Sequence, residues 1–373
     1  MHFVSVFLSA FLYKYIFKHI FFLFDAEKVH ENMLSFGEVI GKNRILKFLI
    51  SKAFLVRKDN LKQEIGGINF DSPIGLAAGF DYKAKLYKTL PLFSFGFETI
   101  GTITNQPYDG NPAPRLGRLP KSKSLLVNKG FKNEGIKKIA KKLKNEKFQI
   151  PVGLSIGKTN TTRLNTQKKA VEDVVLTFKI AENFRLNTSY YELNISCPNL
   201  FGDIDLYDPK KLDELLKQVF SLNLSKPVFV KMPISKTNEE IIKMMNVIVK
   251  YPVTAVIFGN LQKDKNNKAL VKEEIDKYKN GNYSGKPTEE RSNELIELSY
   301  RKYGNKIKII GCGGVFNAKD AYKKIKLGAS LVELITGLVF EGPQLVSSIN
   351  SDLSKMIKKD GFTNISQAVG SSI

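Results

Sequence analysis

Cys197 and Cys312 are the only thiols of the chain, and His2, His19 and His30 its only imidazoles. A catalytic base must lie within hydrogen-bond reach of its nucleophile, so histidines confined to the first thirty of 373 residues are poor partners for a reactive serine or cysteine. Histidine-based metal sites are unexpected for the same reason. Two cysteines separated by more than a hundred positions offer neither a paired zinc ligand set nor a disulfide framework, so no metal is expected and a reducing compartment is.

The polar chemistry that remains sits at the ends of short apolar runs. Eight such runs, rich in Val, Ile, Phe and Gly, recur from residue 64 onward: Ser72–Phe80, Phe97–Thr104, Ile150–Gly157, Tyr190–Ser196, Pro227–Met232, Ala255–Asn260, Ile307–Val315 and Leu331–Phe340. Longer lysine-decorated stretches with apolar residues at helical spacing separate them, as at Leu212, Leu215, Leu216, Val219 and Phe220. Strand and helix alternating eight times predict an α/β fold, a (β/α)8 TIM barrel with an N-terminal helical extension. Residues 1–60 form the extension and 61–373 the barrel domain. Two connections, Asn105 to Phe148 and Leu261 to Lys306, exceed a plain helix and are expected to cover the active face.

In a barrel, chemistry belongs at the C-terminal strand ends, which here carry Ala78-Gly79, Thr102 with Thr104, Ser155 with Gly157, Asn194 with Ser196, Lys231, Gly259-Asn260, Gly313-Gly314 and Thr336-Gly337. Glycines after strands seven and eight let a backbone approach a phosphate closely. With a lysine ending strand five and amides opposite, the pattern suits a phosphorylated planar cofactor such as FMN. Sugar-phosphate isomerases use the same corner, so both classes stay open at this level.

Composition bounds the partners. The chain is 43% hydrophobic and 25% charged, as a folded globular protein is. Its formal charge of +22 comes from 50 Lys and only 8 Arg, scattered along the sequence. Arginine normally carries bidentate phosphate and base recognition, so no nucleic-acid partner is expected. Residues 3–24 are mostly aromatic and aliphatic, but Lys14, Lys18 and His19 break them. No run of about 18 apolar residues results. The segment has neither a secretory cleavage site nor an Arg-rich presequence. A helix lying in an anionic membrane surface is expected over one that spans, the alternative being a helix docked as ordinary core.

At 192–199 the chain reads ELNISCPN, and here it resembles the dihydroorotate dehydrogenase family of FMN-dependent oxidoreductases. Further matches run in order along the chain: FDAEKVHE at 24–31, SPIGLAAGFD at 72–81, FETIGTIT at 97–104, GNPAPRLGRLP at 110–120, VNKGFKNEG at 127–135, IIGCGGV at 309–315, LITGLVFEGP at 334–343 and GFTNISQAVG at 361–370. The extension resembles that of the membrane-associated, quinone-linked class, whereas ELNISCPN is similar to the soluble classes, whose base is cysteine where the membrane class has serine.

The resemblance implies oxidation of dihydroorotate to orotate in de novo pyrimidine (UMP) biosynthesis, with electrons leaving to a quinone. It also implies association with the cytoplasmic face of a cell membrane, a mitochondrial inner membrane being the alternative. Fumarate or another soluble acceptor, or another dihydropyrimidine, is the alternative chemistry. Cys197 takes the place of the base, and a thiol with a pKa near 8.5 accepts a proton more readily than serine. Asn128, Phe131, Asn194, Asn199, Asn260 and Lys83 take substrate-binding places. Ala78, Gly79, Thr102, Ser155, Asn194, Lys231, Gly285, Gly313, Gly314, Thr336 and Gly337 take cofactor-binding ones. The chain departs from the membrane class at Tyr82, where a lysine normally follows Gly-Phe-Asp and here comes one position later as Lys83, and also at Lys129, Ser155 and Leu261.

Overall fold

Eight short strands with no exposed interior make the centre of the molecule. The computed structural model describes residues 2–198, 200 and 206–373. The strands are β1 (Ile74–Leu76), β2 (Phe97–Ile103), β3 (Val152–Ile156), β4 (Tyr190–Asn194), β5 (Val228–Met232), β6 (Val253–Phe258), β7 (Lys308–Cys312) and β8 (Leu331–Leu334). Each pairs in parallel with its sequence neighbours, and β8 returns to β1 to close the barrel. Seven of the eight apolar runs contain their strand, and the sixth, Ala255–Asn260, overlaps a strand that begins two residues earlier at Val253. Leu331–Phe340 divides, however: β8 stops at Leu334, and a short helix spans Thr336–Glu341. The run is apolar throughout because the helix too is packed inside, so hydropathy alone could not mark the change of period.

The lower end of the barrel is shut. Phe97, Tyr190, Phe229, Ile257, Ile310 and Leu331 fill it, and Ile65 and Phe70 from the hairpin Gln63–Ile65/Ile68–Phe70 cap it from below. The Tyr190 and Phe229 rings stack with centroids 4.4 Å apart. Gly75 on β1 makes room for this plug, since a Cβ there would lie 2.4 Å from the Phe97 ring.

At the upper end, Leu116–Leu119, Ser124–Val127 and Asn282–Tyr283 form a three-stranded antiparallel sheet. Both long connections contribute to it, as their length predicts. The N-terminal extension folds as α1 (His2–Leu12), a π turn at Tyr13–Phe17, α2 (Lys18–Phe22), α3 (Ala26–Lys42) and α4 (Arg44–Phe54). Asp25 caps α3 by accepting the Lys28 N–H at 2.8 Å, and Asn43 ends α3 while capping α4.

Helix α3 docks closely because its glycines allow it. Cβ atoms at Gly37 and Gly41 would come within 2.3 Å of Leu86 and 2.8 Å of Thr89. The Thr89 hydroxyl donates to the Gly37 carbonyl at 2.6 Å. Tyr13 ties the π turn to the barrel by donating to the Val339 carbonyl at 2.8 Å. By contrast α4 buries no residue at all, and Ile45, Phe48 and Leu49 on it are exposed.

Candidate active site

One cavity of about 900 Å³ runs from the upper strand ends to the N-terminal helices. Its barrel end is lined by Ala78 and Gly79 after β1, Thr102 on β2, Asn194 and Cys197 at and after β4, Lys231 on β5 and Asn260 after β6. Gly285, Gly313, Gly314, Thr336 and Gly337 line it beyond β7 and β8, and Phe131 reaches it from the first long connection. Its other end is apolar, with Leu8, Leu12, Phe17, Phe21, Met33 and Phe36.

The polar groups at the barrel end hold one another in place. Asn194 donates through Nδ2 to Thr102 Oγ1 at 2.8 Å and accepts at Oδ1 from the Ser196 hydroxyl at 2.8 Å. Asn260 Nδ2 donates to the Ser196 carbonyl at 2.7 Å. Cys197, half-buried, follows directly on this knot. Lys158 is buried close enough for the thiol to influence it, its pKa lowered chiefly by burial against the opposing pull of Asp173 and Cys197. On Lys231, burial works to lower the pKa, yet Glu192 and Glu333 outweigh it and hold the ammonium well above the ordinary lysine value. The lysine is therefore a fixed positive charge.

The glycine corner is crowded at each position. Gly285, Gly313 and Gly314 have φ of +80°, +103° and +71°, and Cβ atoms there would meet Thr336, Thr288 and Glu289 at under 3 Å. A Cβ at Gly337 would lie 2.0 Å from the Val315 carbonyl oxygen. A permanent cation at one end, bare backbone at the other and amides between them fit a phosphorylated flavin.

Three expected site residues lie elsewhere. Lys83 does not line the cavity; its ammonium is 2.5 Å from Glu31 Oε2 on α3, and Tyr82 Oη donates to the same carboxylate. The one-residue shift from the family's pattern thus turns that lysine toward the extension. Asn128 also falls outside the lining and accepts from Asn111 Nδ2 at 3.0 Å. Ser155 is sealed below the cavity, donating to Glu192 Oε1 at 2.6 Å and lying 2.9 Å from Thr102 Oγ1. Asn199 lies outside the described residues.

Four residues to which the sequence reading gave no role also belong here. Glu192 and Glu333 project into the barrel beneath the cavity. Their signal was a carboxylate inside an otherwise buried run, two positions before a cavity residue and so on the same face as it. His30 and Lys129 meet at 2.9 Å between α3 and the barrel, both lining the cavity. Burial lowers His30 well below its usual value, and burial again brings Lys129 down to about 7.

The sequence model of the Dihydroorotate dehydrogenase family matches residues 60–357. The chain belongs to the dihydroorotate dehydrogenase family. It is 33% identical over 367 residues to the dihydroorotate dehydrogenase (quinone) of Trichodesmium erythraeum, covering 93% of this chain and 94% of the relative. With the dihydroorotate dehydrogenase (quinone) of Sulfurimonas denitrificans it shares 36% identity over 311 residues, 83% of this chain and 85% of the other. Among solved structures, ligand-free DHODH from Eimeria tenella superposes with a TM-score of 0.77 at 25% identity, covering 90% of this chain and 98% of that one. Dihydroorotate dehydrogenases are flavin enzymes, which agrees with the chemistry of the cavity.

Proposed function

We propose that the protein binds FMN at the barrel mouth and oxidises dihydroorotate to orotate for pyrimidine synthesis, passing the electrons to a membrane quinone. The observation that carries this reading is the continuity of the cavity. It joins Cys197, Asn194 and Lys231 at the barrel mouth to an apolar passage under the N-terminal helices. A lipid-borne acceptor thus has an apolar route to the polar centre at the barrel mouth. The relatives named as quinone-linked support the choice of acceptor.

FMN, when bound, supplies the hydride acceptor. The chain's own residues do the rest. Cys197 takes the proton from the carbon beside a carbonyl group, as a general base. Asn194 and Asn260 offer donor and acceptor to a pyrimidine edge, and their mutual hydrogen bonds fix which atom faces it. Lys231 stabilises negative charge at the flavin pyrimidine. Gly285, Gly313, Gly314, Thr336 and Gly337 would hold the phosphate.

Phe7, Leu23, Phe24, Ile45 and Phe48 on the extension are more than half exposed. With Lys14 and Lys18 among them, they suit an anionic membrane surface at its cytoplasmic face. Among the described residues no helix is long and apolar enough to cross a membrane.

An anaerobic titration of the purified yellow protein with dihydroorotate tests the core of the proposal, and the oxidised-flavin band should bleach. A band that stays unchanged would sink the substrate. Comparing a soluble quinone with fumarate as oxidant then tests the acceptor, and faster turnover with fumarate would reject the quinone.

A further inference from the structure

Below the cavity and under Lys231, the barrel lumen holds polar side chains that the proposed reaction leaves unused. Glu192, Glu333, Thr99 and Tyr190 are fully buried, and Lys231 nearly so. Glu333 Oε1 accepts from Thr99 Oγ1 at 3.2 Å, and that hydroxyl lies 2.8 Å from Tyr190 Oη. Glu333 Oε2 stands 3.6 Å from the Lys231 ammonium, too far for a hydrogen bond, and has no other partner. Glu192 accepts from Ser155 through one oxygen, and its second oxygen is equally unbonded.

Two carboxyl groups therefore face one ammonium in a lumen closed below by the Tyr190 and Phe229 rings. A net buried charge is strongly unfavourable there, so the layer is neutral only when one carboxyl carries a proton. The groups facing Glu333 are Lys231 from β5, Glu192 and Tyr190 from β4, Thr99 from β2 and Cys312 from β7. Burial raises the Tyr190 phenol far above its usual value and the Cys312 thiol to about 11, so neither ionises near neutrality. Burial also raises Glu333, against the pull of Lys231, to about 7.

We propose that Glu333 is a positioning residue that governs how much of the Lys231 charge reaches the flavin, and thereby sets the flavin's reduction potential. As a carboxylate it engages the ammonium from below; once protonated it leaves that charge to the layer above. Hydride delivered by the substrate brings one negative charge into the upper layer. Above neutrality, where Glu333 rests as a carboxylate, it answers by taking one proton from solvent onto Oε2, forming its O–H bond and returning the site to the net charge it had before reduction. The inference rests on the flavin reading above, and its test separates the two.

The midpoint potential of the holoenzyme is measured by spectroelectrochemical titration from about pH 6 to about pH 9, for the wild type and for E333Q, which keeps the shape and the Thr99 contact. In the wild type the equilibrium constant for reduction should fall more than tenfold per pH unit above neutrality, that is, by more than about 30 mV for a two-electron couple. E333Q should follow the tenfold line and lie at least tenfold, about 30 mV, more positive at the alkaline end. Coincident curves for the two proteins overturn the role of Glu333. If E333Q does not fold, a wild-type slope no steeper than the tenfold line overturns it alone. A wild-type protein that takes up no flavin overturns both this inference and the reading beneath it.

Discussion

At the scale of single residues, Cys197 carries the sharpest expectation. Serine is the poorer base near neutrality, so Cys197→Ser should leave a yellow protein whose reduction by dihydroorotate is slower by about a hundredfold or more at neutral pH. The deficit should shrink as pH rises, moving the optimum upward. Stopped-flow rates equal to wild type across the pH range would remove Cys197 from the mechanism. Glu31 makes a different prediction. Although partial burial works to raise it, hydrogen bonds from Lys83, Tyr82 and Lys132 hold its carboxyl down at about 2. Its folded value is thus below the unfolded one, so its stabilisation is present above the ordinary carboxylate range and is lost as pH falls toward 2. Glu31→Gln should cost about 1 kcal/mol at neutral pH, the partial exposure of the pair being discounted. In urea melts the difference from wild type should vanish in acid.

Residue types reveal some of these roles and hide others. Lys231 was legible because a lysine inside PVFVKMP has no solvent to face. Asn194 and Cys197 were legible because ELNISCPN is a family signature. Glu333 stands in an equally apolar run, SLVELIT, but the cavity residue two positions on is the apolar Ile335, so the face they share carried no polar mark to draw attention to it. Lys83 shows the converse failure. Its distance along the chain from the site is right, and its partner on α3 lies 52 positions away.

At the scale of elements, the docking of α3 depends on the absence of side chains. Gly37→Val would drive a branched side chain into Leu86, costing about 1–3 kcal/mol. Because α3 carries His30 and lines the cavity, the KM for quinone should rise while bleaching by dihydroorotate proceeds as in wild type. An unaltered quinone KM would show that α3 does not shape the acceptor's path. The eight strands were readable from hydropathy because most are buried along their whole length on both faces, and β6 and β7 are buried over most of theirs. The three-stranded sheet over the mouth was not. Its strands are short, and beside the local hairpin of Leu116–Leu119 with Ser124–Val127 its other pairing joins segments more than 150 positions apart, Asn282 with Val127.

At the scale of the whole molecule, the extension and the barrel divide the labour between lipid and water. Removing residues 1–24, which leaves α3 in place, should keep the flavin and the bleaching by dihydroorotate. It should also weaken co-sedimentation with anionic vesicles at low salt, leaving only what α4 contributes. Retention of the truncated protein at the full-length level would place the lipid contact outside α1 and α2.

Helix α4 adds a consequence of its own. An isolated helix of fewer than about 12–15 residues is marginal in water, and α4 has 11 residues, none of them buried against the rest of the chain. Its C-terminal end is held by Phe54 against Phe93 and by the Ser94 and Ser347 hydroxyls on the Phe54 carbonyl, so the order of its first turns depends most on whatever covers Ile45, Phe48 and Leu49. Adding vesicles should sharpen that order, and a spectroscopic label on α4 would act as a gauge of occupancy, reporting when the enzyme is seated before any electron has moved.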